Sequence, residues 1–118
     1  MAIVNYQMTT TQLDALIVPA NTTYAITNIM VCNTYSPSGA SPASNSATFD
    51  MHFVASGSAL SNSVTCVVRE LTLPAGETFT FDSEKIVLSA GDKVSFVAGP
   101  DLGGGVTNLA VTVSYLEV

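Results

Sequence analysis

Charged side chains are scarce in this chain. Of its 118 residues only 10% are Asp, Glu, Lys or Arg, against about 25% in an average soluble domain. Three are basic (Arg69, Lys85 and Lys93) and nine are acidic, for a formal net charge of −6. Nucleic-acid binding requires clustered Lys and Arg to neutralise phosphates, so we expect none. The surface must instead be covered largely by Ser, Thr, Asn and Gly.

Long apolar runs are also missing. No stretch reaches the roughly 18 to 20 apolar residues of a membrane-spanning helix, so we expect no membrane association. Residues 1–18 have neither the basic start nor the continuous apolar segment of a secretory signal, and we expect synthesis in a cytoplasm. The hydrophobic content of 47% nevertheless indicates a chain that folds around a core.

Few residues are suited to catalysis. His52 is the only histidine, so a serine triad or a cysteine dyad would have to be built around it. It alternates with Thr48 and Asp50 in a strand-like run, a pattern typical of an exposed strand histidine. One histidine and two cysteines are a poor ligand set for zinc. We therefore expect no enzyme, no metal and no cofactor.

Cys32 and Cys66 are the only cysteines. Each lies in an apolar, strand-like run, where a free cysteine behaves as a small hydrophobic residue. We expect two reduced thiols in the core. The alternative is a disulfide between the two strands, which would imply an oxidising compartment.

Several acids lie close together in sequence without matching a known cation site. Asp82, Glu84 and Asp92 could approach one another, but calcium needs six to eight oxygen ligands, and the spacing fits no EF-hand loop. We expect solvated turn acids, with Lys85 and Lys93 as partial partners.

Residues 71–98 repeat one pattern. In residues 73–77 (LPAGE) and 88–92 (LSAGD), an apolar residue is followed by Ala-Gly-acid, and a short alternating run comes next. Glycine supplies the positive φ that a tight turn needs. Residues 18–22 (VPANT) are a weaker copy with Asn21 at the glycine position, and Asn tolerates that conformation best among the other residues. The pattern predicts a turn at all three places.

Strand-like runs of about 5 to 10 residues recur between such turns, and no helical periodicity spans ten residues. This predicts an all-β, two-sheet antiparallel sandwich of the jelly-roll type, with residues 1–118 as a single domain. An immunoglobulin-like sandwich is the alternative, although the chain has no Trp and so lacks the Cys, Trp, Cys pattern of true immunoglobulin domains.

The ends and loops of this scaffold are the candidate contact regions. Residues 1–12 are predicted to be an N-terminal arm or an edge strand that meets a neighbouring chain. The Ser- and Pro-rich stretch 34–46 is long for a loop, and such loops are often functional; a tolerated surface insertion is the alternative. The candidate protein-contact residues of the arm and loops are Ile3, Val4, Tyr6, Tyr35, Pro37, Pro42 and Leu102.

Five segments together resemble small structural proteins of tailed bacteriophages. They are ITNIMVCNT, ATFDMHFVASG, LTLPAGETFTF, KIVLSAGDKVSFVA and NLAVTVSYLEV. The resemblance covers residues 24–118, departs from shorter members in the expanded 34–46 loop, and carries over no catalytic residue.

The resemblance implies a capsid decoration or cement protein of the virion, assembled in the host cytoplasm. Such a protein would bind the major capsid protein or other virion proteins as a symmetric homo-oligomer, with a trimer favoured. The alternative is a tail-fibre or tail-tip module that recognises a host-surface glycan. The neutral loops and Tyr35 favour this alternative.

Overall fold

The computed structural model of the chain describes residues 2–35, 46–82, 86–99 and 109–118. This part of the chain is built of β-strands without a helix, so it contains no helix able to cross a membrane. The strands are β1 (Ala2–Gln7), β2 (Leu13–Ile17), β3 (Tyr24–Asn33), β4 (Ala47–Val54), β5 (Cys66–Leu73), β6 (Thr78–Phe81), β7 (Ile86–Leu88), β8 (Lys93–Ala98) and β9 (Leu109–Glu117).

The strands form two antiparallel sheets that pack face to face. Sheet A has the order β1-β9-β3-β6, with β7 also paired to β3, and sheet B has the order β2-β8-β4-β5. Alternate residues of each strand point to opposite faces, and the inward residues of both sheets form one core. Two edge-to-face aromatic pairs join the sheets across it: Phe49 with Phe79 and Phe53 with Phe81, at 5.6 and 6.0 Å between ring centroids.

The connectivity is that of a jelly roll. Both β6 and β7 pair with β3, so they count as one interrupted strand, and the sandwich then has two sheets of four strands each. Among the described strands, only β4 and β5 are consecutive and also hydrogen-bonded neighbours; every other connection crosses to the opposite sheet or continues along β3. The predicted fold is confirmed. The number of strands and their order differ from those of the seven-stranded immunoglobulin alternative.

All three predicted turns contain a left-handed residue at the predicted position. The φ angles are 60° at Asn21, 78° at Gly76 and 86° at Gly91. Each turn carries the chain from one sheet to the other, so the repeat marks crossings of the sandwich. The apolar residue that precedes each turn lies in the core: Val18, Leu73 and Leu88.

The two glycine turns attach to the rest of the sandwich in the same way. The N–H of Gly91 donates to the Val18 carbonyl at 2.9 Å, and the N–H of Val18 donates to the Asp92 carbonyl at 3.0 Å. In the other turn, the N–H of Gly76 donates to the Asn33 carbonyl at 2.9 Å, and the N–H of Asn33 donates to the Glu77 carbonyl at 3.0 Å. The sequence repeat is therefore also a repeat of hydrogen bonding.

Asp92 differs from the solvated turn acid that the sequence predicted. Its carboxylate accepts hydrogen bonds from the backbone N–H groups of Ser56 at 2.8 Å and Ser89 at 2.9 Å. Lys93 is not its partner, because the Lys93 ammonium lies 3.6 Å from Asp14. Because Ser56 lies in the β4–β5 loop and Ser89 lies in the β7–β8 turn, the Asp92 carboxylate joins these two segments. Hydrogen bonds to a carboxylate are stronger than those between neutral groups.

We predict that Gly91→Ala destabilises the fold more than Gly57→Ala does. Both glycines have left-handed backbone, with φ of 86° and 82°, and a non-glycine residue there costs about 1 to 2 kcal/mol. A Cβ at Gly91 would also meet the Ser56 hydroxyl and come within 2.8 Å of its Cβ, whereas one at Gly57 meets nothing within 4 Å. Urea unfolding of both variants measures the difference, and equal losses would show that the contact with Ser56 is unimportant.

Candidate functional site

Three of the predicted contact residues lie in β1, at the edge of sheet A. This strand pairs with β9 over its whole length, so of the arm and the edge strand that the sequence allowed, residues 2–7 form the edge strand. Ile3 is 60% exposed and Tyr6 is 43% exposed. Val4 is half-buried and packs against the core. The edge therefore presents apolar side chains to solvent.

The predicted loop residues are only partly described. Tyr35 follows β3, is 42% exposed, and its N–H donates to the side-chain oxygen of Asn33 at 3.1 Å. Asn33 is opposite Leu109 of β9, whose carbonyl accepts from the N–H of Met8. Tyr35 is thus at the end of sheet A where β1 also ends, two strands away from it. Pro37, Pro42 and Leu102 lie outside the described residues.

The outward face of sheet A carries no charged strand residue in the described part of the chain. Directly paired residues share a face, and the register places Met30 opposite Thr112 on one side and Thr80 on the other. Met30, Val87 and Leu116 are 40, 62 and 42% exposed, so this face is open to solvent. We call it the neutral face; it consists of Ile3, Asn5, Gln7, Ala25, Thr27, Asn28, Met30, Cys32, Thr78, Thr80, Val87, Ala110, Thr112, Ser114 and Leu116.

Two shallow depressions lie along the seam between β1 and β9. One, of about 430 Å³, is lined by Asn5, Tyr6, Gln7, Ala110, Val111 and Thr112. The other, of about 360 Å³, is lined by Ala2, Tyr24, Tyr115, Leu116 and Glu117. The second contains an aromatic pair, because the rings of Tyr24 and Tyr115 are 4.5 Å apart between centroids. The β1–β9 seam is therefore a surface with relief as well as exposed apolar groups.

A row of polar side chains crosses the outward face of sheet B. The register places Asp14 opposite Ser95, Ser95 opposite His52, and His52 opposite Cys66, one residue from each strand. The Ser95 hydroxyl donates to Asp14 at 2.6 Å, and Nδ1 of His52 lies 2.9 Å from the Thr65 hydroxyl. The row contains the residue types of a hydrolase triad, but serine is bonded to aspartate and histidine to threonine. It therefore lacks the connectivity by which a triad activates its serine.

His52 is fully buried, so the prediction of an exposed strand histidine is wrong. The β4–β5 loop folds back beside it, with the N–H of Phe53 donating to the Thr65 carbonyl at 3.1 Å. The Thr65 hydroxyl donates to the Ser61 carbonyl at 3.0 Å, so it accepts from Nδ1–H of the imidazole. Nε2 is then the unprotonated nitrogen, and it is buried without a hydrogen-bond partner among the described residues.

The electrostatic surroundings of His52 favour the neutral imidazole. Burial lowers its pKa below the ordinary value, and the Arg69 charge lowers it further, while Asp50 acts in the opposite direction. The negative charge of the Asp50 carboxylate is balanced by other groups, because this carboxylate accepts hydrogen bonds from the Arg69 guanidinium at 2.8 Å and from the Glu70 N–H at 2.7 Å. A neutral, enclosed histidine of this kind contributes to the scaffold.

The end of the row at Asp14 is ionic. Burial acts to raise the pKa of Asp14, but hydrogen bonds from Ser95 and Gln12 and the nearby Lys93 charge outweigh it, so its pKa lies below the ordinary value. Ser95 is fully buried. Its hydroxyl therefore completes a closed network around a carboxylate and is unavailable to a substrate.

Neither cysteine lies in the core. Both are free and half-buried: Cys32 is on the neutral face and Cys66 is on the outward face of sheet B. A disulfide would have to cross the sandwich, whose sheets are about 10 Å apart, and a disulfide requires Cα atoms within about 7 Å. Burial raises the pKa of the Cys66 thiol, with a further contribution from Asp50, so the thiol is protonated at neutral pH.

The acids considered for cation binding are only partly described. Asp82 is exposed at the end of β6, and Glu84 and Lys85 lie outside the described residues. Within the described ranges, no three or more His, Cys, Asp or Glu side chains form a group that could hold a metal ion. Arg69 and Lys93 both lie within ion-pair distance of carboxylates.

No protein-family model matches the chain, and no curated protein matches it significantly. The arrangement of residues on the two outward faces is therefore the basis for a functional interpretation. One face carries a buried polar network, and the other is neutral and open.

We predict that acid destabilises the fold through His52. Histidine has a pKa of about 6.5 in the unfolded chain, and the pKa of His52 in the folded protein is lower. Near pH 6.5 the unfolded chain therefore binds more protons than the folded protein does, and a lower pH favours unfolding. The free energy of unfolding should then fall as the pH drops through about 6.5, by up to about 1.4 kcal/mol per pH unit, until the pH has passed the lower pKa of the folded state.

His52→Asn is the matched control, because His52 is the only histidine and Asp14 loses its contribution only at lower pH. Urea unfolding at a series of pH values should show the decline in the wild type and its absence in the variant. The same decline in both proteins would show that His52 is not its source.

Proposed function

We propose that the protein is a non-enzymatic structural protein of a tailed-phage virion. It decorates or cements the assembled capsid as a symmetric oligomer that contacts the major capsid protein. The observation that carries the proposal is the neutral face, and the resemblance to small phage structural proteins supplies the class of partner. A protein of net charge −6 whose described strands place no charge on the outward face of sheet A has a surface suited to contact with other protein.

The chemistry of the neutral face agrees with this proposal. The centres of protein interfaces are depleted in charged residues, because burying an unpaired charge is costly. Met30, Val87 and Leu116 supply apolar area, and the short polar side chains around them can hydrogen-bond to a partner without loss of a charge. Thr112 already donates to Asn5 at 2.7 Å across β9 and β1, which holds the polar groups of this face in place.

The outward face of sheet B supports the non-enzymatic part of the proposal. Ser95 and His52, the residues from which a hydrolytic site would be built, are fully buried and engaged with Asp14 and Thr65. A decoration protein needs only a stable scaffold there. By binding the assembled capsid and not its free subunits, it would stabilise the assembly by mass action.

A charge on the neutral face should weaken capsid binding. We expect Met30→Lys to reduce co-sedimentation of the purified protein with expanded capsids of its phage by about tenfold or more, because the lysine would be desolvated without a partner. Thr72→Lys is the control, since Thr72 is exposed on β5 of the other sheet. Thermal unfolding verifies that both variants are folded.

Two results would contradict the proposal. One is a wild-type protein that does not co-sediment with capsids and is found by mass spectrometry of virions only in isolated tails. The other is equal binding by the two lysine variants, which would separate the neutral face from capsid attachment.

The depression at Tyr24 and Tyr115 favours a second candidate, recognition of a host-surface glycan by a tail module. Sugars stack on aromatic rings and donate hydrogen bonds to carboxylates, and Glu117 lies in the same depression. On this hypothesis the wild type binds on a glycan array and Tyr24→Ala does not, while Tyr6→Ala serves as the control, because Tyr6 is 43% exposed and lines the other depression. An array without hits would remove this candidate and leave the capsid proposal unaffected.

A further inference from the structure

One side of β1 is open among the described strands, and its backbone groups can be assigned. The N–H of Met8 donates to the carbonyl of Leu109 at 2.8 Å, which continues the β1–β9 register by one residue. Hydrogen-bonded and non-hydrogen-bonded pairs alternate along an antiparallel ladder. Val4 and Tyr6 therefore direct their backbone groups toward β9, and Ile3 and Asn5 direct theirs toward the open side.

The other sheet edges carry features that discourage pairing, and β1 does not. Natural edge strands are protected by charges, proline, bulges or shortness. Strand β2 has Asp14, a bulge beside it and Pro19 beyond its end. Strand β5 has Arg69, Glu70 and two register shifts, and β6 and β7 are four and three residues long. Strand β1 has six residues, AIVNYQ, with no charge, no proline and a continuous register.

We propose that two copies of the chain pair through β1, antiparallel, about a two-fold axis at Val4. This inference rests on the oligomer of the proposed function and replaces the trimer expected from the sequence by a dimer. Ile3 of each copy exchanges backbone hydrogen bonds with Asn5 of the other. On the core side of the sheet, Val4 then meets the second Val4, and Ala2 meets Tyr6. Every side-chain pair on that side is apolar.

A second copy fits this edge better than an unrelated strand does. Each copy carries a net charge of −6, so two copies repel each other least where the contact strand itself carries no charge, and β1 meets that condition. The pairing is also self-limiting, since it uses the one unprotected edge of each copy among the described strands. An isologous contact of this type closes at two subunits, and among the described strands it leaves only the protected edges β2, β5, β6 and β7.

The dimer would enlarge the neutral face. Joining the two copies at β1 merges their five-stranded sheets A into one sheet, with the neutral face of each copy on the same side. The capsid partner would then meet one continuous surface. Ile3 lies at its centre, which accounts for a 60% exposed isoleucine at the edge of a monomer.

The first test is the oligomeric state in solution, by sedimentation equilibrium over a range of concentrations. The wild type is expected to be a dimer, and Ile3→Glu to raise the dimer Kd about tenfold or more by placing like charges at the shared edge. The control is Ile17→Glu, since Ile17 is 54% exposed on the β2 edge and faces Lys93. Asn5→Pro is a second test, because it removes an N–H on the open side and keeps the β1–β9 backbone bonds; Asn5→Ala is its control, since it also loses the side-chain bond from Thr112 but keeps the N–H.

The second test fixes the register with engineered cysteines, in a background where Cys32 and Cys66 are serine. Val4→Cys should form an intermolecular disulfide on mild oxidation, because the two-fold axis places the two residues directly opposite. Asn5→Cys should not, since a disulfide there requires an axis shifted by one residue. Cross-linking through Asn5 alone would overturn the proposed register.

The outcomes separate this inference from the proposed function. A monomeric or trimeric wild type, or a dimer equally weakened by Ile3→Glu and Ile17→Glu, would overturn the β1 pairing; if that protein still co-sediments with capsids, the proposed function stands. A dimer that cross-links at Val4 but fails to bind capsids would support the pairing and contradict capsid attachment.

Discussion

Packing between the two sheets is the interaction on which the rest of this structure depends. A sheet of this composition cannot bury its apolar face alone, and the two Phe–Phe pairs across the core show how closely the sheets meet. In this topology most successive strands belong to opposite sheets, so the chain must cross the sandwich repeatedly. The left-handed residues Asn21, Gly76 and Gly91 do this, because each reverses the chain immediately after a residue that is anchored in the core.

This arrangement leaves two outward faces with different properties. On sheet B, the β4–β5 loop returns beside the strands, and polar groups buried there must find partners or cost stability. The bonds of Asp14, Ser95, Thr65 and Nδ1 of His52 meet that requirement, whereas Nε2 of His52 has no partner among the described residues. On sheet A, the outward face of the described strands is open, and its uncharged side chains suit the proposed contact with a partner. The differences between the two faces thus follow from which one the chain itself covers.

The sequence was informative wherever a local rule applied. The turns at Gly76 and Gly91, and the weaker copy at Asn21, were predicted from the φ that these residues tolerate, and the strands were predicted from alternation. Alternation also gave the correct face for His52. It could not indicate that a loop covers that face, because this depends on contacts between residues distant in sequence. The partners of Asp92 and Lys93 and the positions of the two cysteines escaped prediction for the same reason.

Protection of the sheet edges against unwanted pairing connects the edge of β1 with the neutral face. A protein with few charges has few means of protecting its sheet edges, and here Asp14, Arg69 and Glu70 are placed on β2 and β5. Strand β1 carries no charged residue, although an exposed, uncharged edge strand promotes aggregation. A closed two-fold contact removes that hazard without adding a charge. Charge at the edge would interrupt the neutral face, so the proposed pairing satisfies both requirements with the same six residues.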